Sequence, residues 1–279
     1  MEAAAESWGA WQCEFQTDPL DFRVVVEAAG GLAPEPVFRK QGRLLCFVAD
    51  AYNFAMADSA TLASGFYLSL KTAEDHAWLR WFFFEAMAYM LLTQRYLVSL
   101  HTACVVRNGG GILLCGKSGA GKSTLAFACA RAGFTYLADD CTWMLAGSED
   151  RVAIGKPQQV RLRHDAVRHF PELEGYIASA RPNGKLTIEV PTALFPDVAT
   201  VGRSPVRCLV FLDRESGDVA RVEPMSSAAA VNLLLADMPS YGAEVNALHD
   251  KTIHALADLP AWRLTYCALD DAIRLLSGI

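Results

Sequence analysis

Hydrophobic positions along this chain come in short bursts, many at the two-residue period of a strand. The β-branched run at 22–26 predicts a first strand, and Gly30-Gly31 with Pro34 and Pro36 predicts the turn that ends it. Residues 37–48 read as a hairpin with its tip at Gln41-Gly42, and 61–70 as a further strand. Residues 72–92 are the most helical stretch of the first third. Thr72 and Asp75 resemble a capping box at its start, and Trp78, Trp81, Phe82, Phe83 and Phe84 are read as its core face, not as a base-stacking platform. Residues 1–20 are polar and mixed, a ragged start without an assigned element.

Residues 96–106 alternate as one strand, which Asn108-Gly109-Gly110 turns into the continuous apolar run 111–115. Such a run suits a strand buried on both faces. A helix over 123–131, ended by Gly133, and a short strand over 134–138 follow. Two or three short strands fall within 142–163, a short helix or turn at 164–170 and a loop at 181–185. Strands are then expected at 186–190, 207–212 and 262–267, and helices at 226–236, 243–257 and 270–277. Strands outnumber the helices between them, unlike the regular alternation of a doubly wound sheet. The fold class expected is therefore α/β of a mixed, α+β kind. A β-rich segment plus helix spans 1–95, within one domain or beside it, and a second domain spans 96–279.

The chain has 279 residues, of which 52% are hydrophobic, enough for a sizeable core. Its net charge of −6 argues against a general nucleic-acid binder, which needs a basic footprint. The longest apolar run, 81–92, is broken by Glu85 and is too short to span a bilayer, so no membrane partner is expected. Met1 to Glu6 carries acidic charge where a leader would be basic. The eight cysteines include no C-x-x-C pair and read as reduced, packed thiols of a cytoplasmic protein.

Gly116-Lys117-Ser118-Gly119-Ala120-Gly121-Lys122-Ser123 matches the phosphate-loop pattern G-x-x-x-x-G-K-[ST], between a predicted strand and a predicted helix. The glycines permit the tight turn and the close approach of backbone N–H groups to phosphates. Lys122 would reach the β- and γ-phosphates, Ser123 would place its hydroxyl on Mg²⁺, and the helix start through Thr124 would face the same anion. Lys117, Ser118 and Ala120 complete the expected nucleotide-binding set.

Asp139 and Asp140 end the strand after that helix. Adjacent carboxylates beside a phosphate loop can divide work, one holding Mg²⁺ and the other taking a proton from an acceptor hydroxyl; elsewhere such a pair is a solvated turn. His101 lies on the strand expected to pair with the loop strand. It is either near the bound phosphates or a core histidine bonded to a carbonyl.

Leu100-His101-Thr102-Ala103, the loop from Gly116 to Ser123, and Leu137-Ala138-Asp139-Asp140 together resemble the catalytic core of the HPr kinase/phosphorylase family. That family is similar in fold to the ATP-dependent phosphoenolpyruvate carboxykinases. The resemblance covers about residues 98–145. It implies a P-loop kinase core on a mixed β-sheet, and an ATP- and Mg²⁺-dependent transfer of the γ-phosphoryl group to a hydroxyl. Lys122 and Ser123 would bind the phosphates and Mg²⁺, Asp139 would be the general base aided by His101, and Asp140 would be the metal-side carboxylate. The family's run rich in Arg, Gly and Ile is absent, and its separate N-terminal domain is not recognisable in 1–95. The chain looks more like the divergent HPr-kinase-like proteins, some of which are serine kinases acting on peptides.

The acceptor implied is serine in a protein or peptide. A small-molecule hydroxyl kinase and a non-catalytic ATP-binding switch are the alternatives. HPr kinases assemble as oligomers, so a homo-oligomer is a further possible partner. Arg161, Arg163, Arg181 and Lys185 are candidates for a second phosphate clamp or for acceptor binding, against ordinary exposed basic residues. His164 and His169, like His249 and His254, are spaced five apart, which does not align two metal ligands on one helix face.

Overall fold

The computed structural model describes residues 1–9, 17–148, 150–180, 186–214 and 220–279. Internal contacts divide the chain into two compact units, Met1–Arg95 and Tyr96–Ile279.

In the first unit a short helix α1 (Glu2–Trp8) precedes five strands: β1 (Asp21–Glu27), β2 (Val37–Gln41), β3 (Leu44–Asp50), β4 (Asn53–Asp58) and β5 (Ala63–Ser69). They form one sheet in the order β1-β5-β4-β3-β2, with β1 and β5 parallel and the other pairs antiparallel. Four helical pieces follow: α2 (Leu70–Glu74), α3 (His76–Trp78), a π-helical stretch Leu79–Glu85 and α4 (Ala86–Arg95). The expected capping box does not form. Ser69 caps α2 by accepting the N–H of Thr72, and the Thr72 hydroxyl instead accepts the N–H of Ala33 at 2.8 Å. Asp75 caps the next turn through the N–H of Trp78. Of the expected core face, Phe82, Phe83 and Phe84 are buried, whereas Trp78 and Trp81 are half-buried.

The second unit is a mixed α/β fold. Its strands are β6 (Leu97–Leu100), β7 (Ala103–Arg107), β8 (Gly110–Cys115), β9 (Thr135–Ala138), β10 (Thr142–Leu145), β11 (Val152–Ile154), β12 (Gln159–Arg163), β13 (Ser179–Ala180), β14 (Leu186–Pro191), β15 (Arg203–Arg214), β16 (Arg221–Met225) and β17 (Ala261–Tyr266). Its helices are α5 (Lys122–Arg131), α6 (Ser227–Ala236), α7 (Ala243–His254) and α8 (Leu269–Leu276). The main sheet runs β6-β10-β11-β15-β8-β7-β9, with β17 and then β16 joined through β15. Within it β8, β15 and β17 are mutually parallel.

Strand β8 is buried on both faces. Ile112 and Leu114 face one core with Leu125 and Phe127 of α5 and Ala272 and Leu276 of α8. Leu113 and Cys115 face the other, with Ala230, Val231 and Leu234 of α6 and Ile253 of α7. That two-sided burial is why 111–115 is continuously apolar rather than alternating. A small antiparallel sheet, β12-β14-β13, adds a further layer, its Val160, Leu162, Ile188 and Val190 joining the α5 core. Among the described residues, no helix is long and apolar enough to cross a membrane.

The stretch read as one strand over 96–106 is two. β6 pairs with β10, whereas β7 pairs with β8 and β9, so the chain changes neighbours at His101-Thr102. The kink is held by Thr102 N–H donating to the Leu100 carbonyl at 2.8 Å and by the Thr142 hydroxyl donating to the Thr102 carbonyl at 3.0 Å. β15 extends beyond the expected 207–212 because residues 203–205 find an antiparallel partner in β11.

Gly155, after β11, lies where a Cβ would stand 2.1 Å from the carbonyl oxygen of Leu137 in β9. Gly155→Ala must therefore push β9 aside. We expect it to lower stability by about 2–4 kcal/mol, read as a shift of the denaturant midpoint.

Candidate phosphate-loop site

β8 passes directly into the loop, and the loop into α5. Gly119 (φ +89°) and Gly121 (φ +93°) take left-handed conformations that other residues adopt only with strain. At Gly121 a Cβ would also meet the Tyr266 hydroxyl at 2.8 Å. That hydroxyl donates to the Ala120 carbonyl at 3.3 Å, tying the loop to the end of β17. No side chain caps α5, so the N–H groups of its first turn remain for an anion or water.

Lys122 is buried, and its Nζ donates to the loop's own carbonyls, Gly116 at 2.6 Å and Lys117 at 3.3 Å. The Ser123 hydroxyl donates to the backbone carbonyl of Asp139 at 2.9 Å, which brings the end of β9 against the first turn of α5.

A hollow of about 340 Å³ opens on this face, lined by Ser118, Lys122, Ser123, Thr124, Asp140 and His101. Asp140 is exposed to it. Asp139 is not among its walls: its carboxyl is buried and accepts the backbone N–H of Arg161. Burial pushes the Asp139 pKa up to about 6, and Asp140 adds to the rise. The Arg161 N–H, its guanidinium and the Tyr136 hydroxyl oppose it.

His101 occupies the break between β6 and β7 rather than a strand. It is half-exposed, with Nδ1 3.3 Å from Asp237 Oδ2. It therefore stands on the surface of the site and is not a core histidine. It also lines a second hollow, of about 760 Å³, whose walls include Gly116, Lys117, Met225, Leu234 and Asp237.

Arg161 and Arg163 reach the first hollow from β12, and Arg161 pairs with Glu189 at 3.2 Å. Arg181 and Lys185 lie outside the described residues. Arg168, Arg214 and Asp165 also line the first hollow and were not singled out from the sequence; His169, read there only as not a metal ligand, lines it too. Arg214 ends an apolar strand beside the loop strand, a position where ligand contacts gather in α/β sheets. The others come from a short 3₁₀ turn with no distinguishing pattern.

Among the described residues no group of three or more His, Cys, Asp or Glu side chains forms a metal cluster. Mg²⁺ bound with a nucleotide does not require one, because phosphate oxygens and water supply most of its ligands. The Ser123 hydroxyl, a hard oxygen donor on the loop wall, fits that ion.

No protein-family model matches the chain, and no curated protein matches it. Among solved structures, the HPr(Ser) kinase/phosphatase from Coxiella burnetii is similar over 65% of this chain and 95% of its own, at 14% identity and a TM-score of 0.33. So loose a superposition fixes no residue's role, which rests on this chain's own geometry.

A carboxyl whose pKa is raised in the folded state binds its proton more tightly there than in the unfolded chain. Its contribution to stability is full below the ordinary carboxylate range and is lost as pH rises through about 6. Asp139→Asn removes that loss. Between pH 4 and pH 7 the variant should gain stability relative to the native chain, by about 3 kcal/mol in total, in paired denaturation curves. A difference that stays flat with pH would show that Asp139 is not held in this environment.

Proposed function

We propose that residues 96–279 form an ATP- and Mg²⁺-dependent phosphotransferase that moves the γ-phosphoryl group to a hydroxyl, with serine of a protein or peptide as the acceptor. The observation that carries this reading is the loop wall itself. A glycine loop runs from a doubly buried strand into an uncapped helix start, with Lys122, Ser123 and Asp140 around one hollow.

Each group has a task in that reaction. The loop N–H groups and the positive end of α5 bind the phosphates. Lys122 leaves its two carbonyl partners for the β- and γ-phosphate oxygens, a charge-assisted exchange. Ser123 would hold Mg²⁺, which would supply positive charge to the same oxygens. The acceptor oxygen forms its bond to the γ-phosphorus as the bond to the β–γ bridging oxygen breaks, and ADP leaves. The hydroxyl proton passes to Asp140. His101, steadied by Asp237, orients the acceptor.

This departs from the expected division, in which Asp139 is the base and Asp140 the metal-side carboxylate. Asp140 is the one that reaches the hollow, and Asp139 is a positioning residue: its carbonyl holds Ser123 and its carboxyl holds β12. The sequence contains both carboxylates but gives no sign of which turns inward.

The test is transfer from γ-labelled ATP to a serine-peptide library and a cell lysate, with nucleotide affinity measured in parallel. Lys122→Ala should abolish both nucleotide binding and labelling. Asp140→Asn should keep nucleotide affinity and reduce transfer by about 10²–10⁴-fold. Asp139→Asn should retain most of the transfer. Full transfer by Asp140→Asn with loss in Asp139→Asn would return the base to Asp139. Tight Lys122-dependent nucleotide binding with no labelled acceptor would favour a binding switch.

A further inference from the structure

The first hollow carries many cationic groups. Its cationic side chains are Lys122, Arg161, Arg163, Arg168 and Arg214, and its carboxylates are Asp140 and Asp165. Two of the arginines are already engaged, Arg161 with Glu189 at 3.2 Å and Arg168 with Asp165 at 3.6 Å. Lys122 has its task with the phosphates. Arg163 and Arg214 remain, and neither has a hydrogen-bond or ion-pair partner among the described residues.

These two guanidinium groups come from different sheets. Arg163 ends β12, and its Nη2 lies 4.0 Å from the position a Cβ would take on Gly119 of the loop. Arg214 ends β15, the strand beside β8, and lines both hollows. They therefore flank the loop from two directions. The positive field of this wall is felt by His169, whose pKa is lowered by its partial burial first and then by Arg168 and Arg214, against the opposite pull of Asp165.

Counting charge separates the nucleotide from a second anion. The triphosphate is met by Lys122, the loop N–H groups, the helix end and Mg²⁺, which together match its charge. Two further arginines are positive charge beyond that set. Arginine's planar fork suits carboxylates and phosphates.

Resting on the kinase reading above, we propose that Arg163 and Arg214 bind an oxyanion on the acceptor, so that the preferred acceptor is an acidic peptide whose hydroxyl lies beside a carboxylate or phosphate. The two arginines then set specificity and position, while the transfer chemistry stays with the loop and Asp140. Both side chains are exposed, so replacing them leaves the core untouched.

The experiment uses the full chain with Mg·ADP and fluorescein-labelled serine peptides of one length, read by anisotropy. One peptide carries flanking Asp and Glu, one flanking Asn and Gln, one flanking Lys, and one a neighbouring phosphoserine. A fluorescent ATP analogue is titrated separately. The acidic or phosphorylated peptide should bind at least about tenfold more tightly than the Asn/Gln peptide, with an advantage that shrinks as salt rises. The double variant Arg163→Gln/Arg214→Gln should erase that advantage and change the affinity for the ATP analogue by less than about twofold. The Asp/Glu and phosphoserine arms show which oxyanion is preferred. Equal binding of acidic and neutral peptides overturns the proposal, as does a tenfold or greater loss of ATP-analogue affinity in the double variant, which would give these arginines to the nucleotide. Failure of the native chain to bind the ATP analogue overturns the kinase reading instead, and the peptide preference is read independently of it.

Discussion

Burial of β8 on both faces is the constraint from which the site follows. Ile112, Leu113, Leu114 and Cys115 are all buried, alternately against α5 with α8 and against α6 with α7. Fully burying each large side chain contributes about 1.5–3 kcal/mol, and neither layer can move without uncovering the other. The end of this strand is thus fixed, and the glycine loop starts from a rigid point. Tyr266 of the neighbouring β17 fixes the far side of the loop through the Ala120 carbonyl. A loop anchored at both ends can hold its N–H groups in place without a ligand to organise them, which is the preorganisation that electrostatic catalysis relies on.

The same packing explains why two adjacent aspartates have different environments. Side chains leaving a strand diverge to opposite sides. Tyr136 and Leu137 of β9 are both fully buried, so one of the two following carboxylates must enter the interior. Asp139 does so and is accommodated by the backbone N–H of Arg161. Asp140 emerges beside Ser123. A single strand end therefore supplies an internal brace and an outward-facing carboxylate, which differ in exposure to water while the outer one still adds to the rise in the inner one's pKa.

Much of the second unit's order was legible because its signals are local. The run 111–115, the glycines of the loop, the helix after it and the short strand before Asp139 each carry their own pattern. What the sequence hid depends on tertiary pairing. The break at His101-Thr102 is invisible because both halves alternate in the same way, and only their different partners separate them. Helix α1 is short and Ala-rich on a polar stretch and gave no periodic signal. In the site, the loop residues declare themselves by spacing. Arg168 and Arg214 are distant in sequence and meet only because a 3₁₀ turn and the end of β15 converge on one hollow.

The bond from Asp139 to β12 falls on the main chain of residue 161, not on its side chain. Any amino acid except proline supplies that N–H. The bond itself therefore places no demand on which residue stands at 161, although the guanidinium there also helps keep the Asp139 carboxyl ionised. Should relatives of this chain retain arginine there, the retention would have to be ascribed to that charge beside Asp139, to its contact with Glu189 or to what enters the hollow.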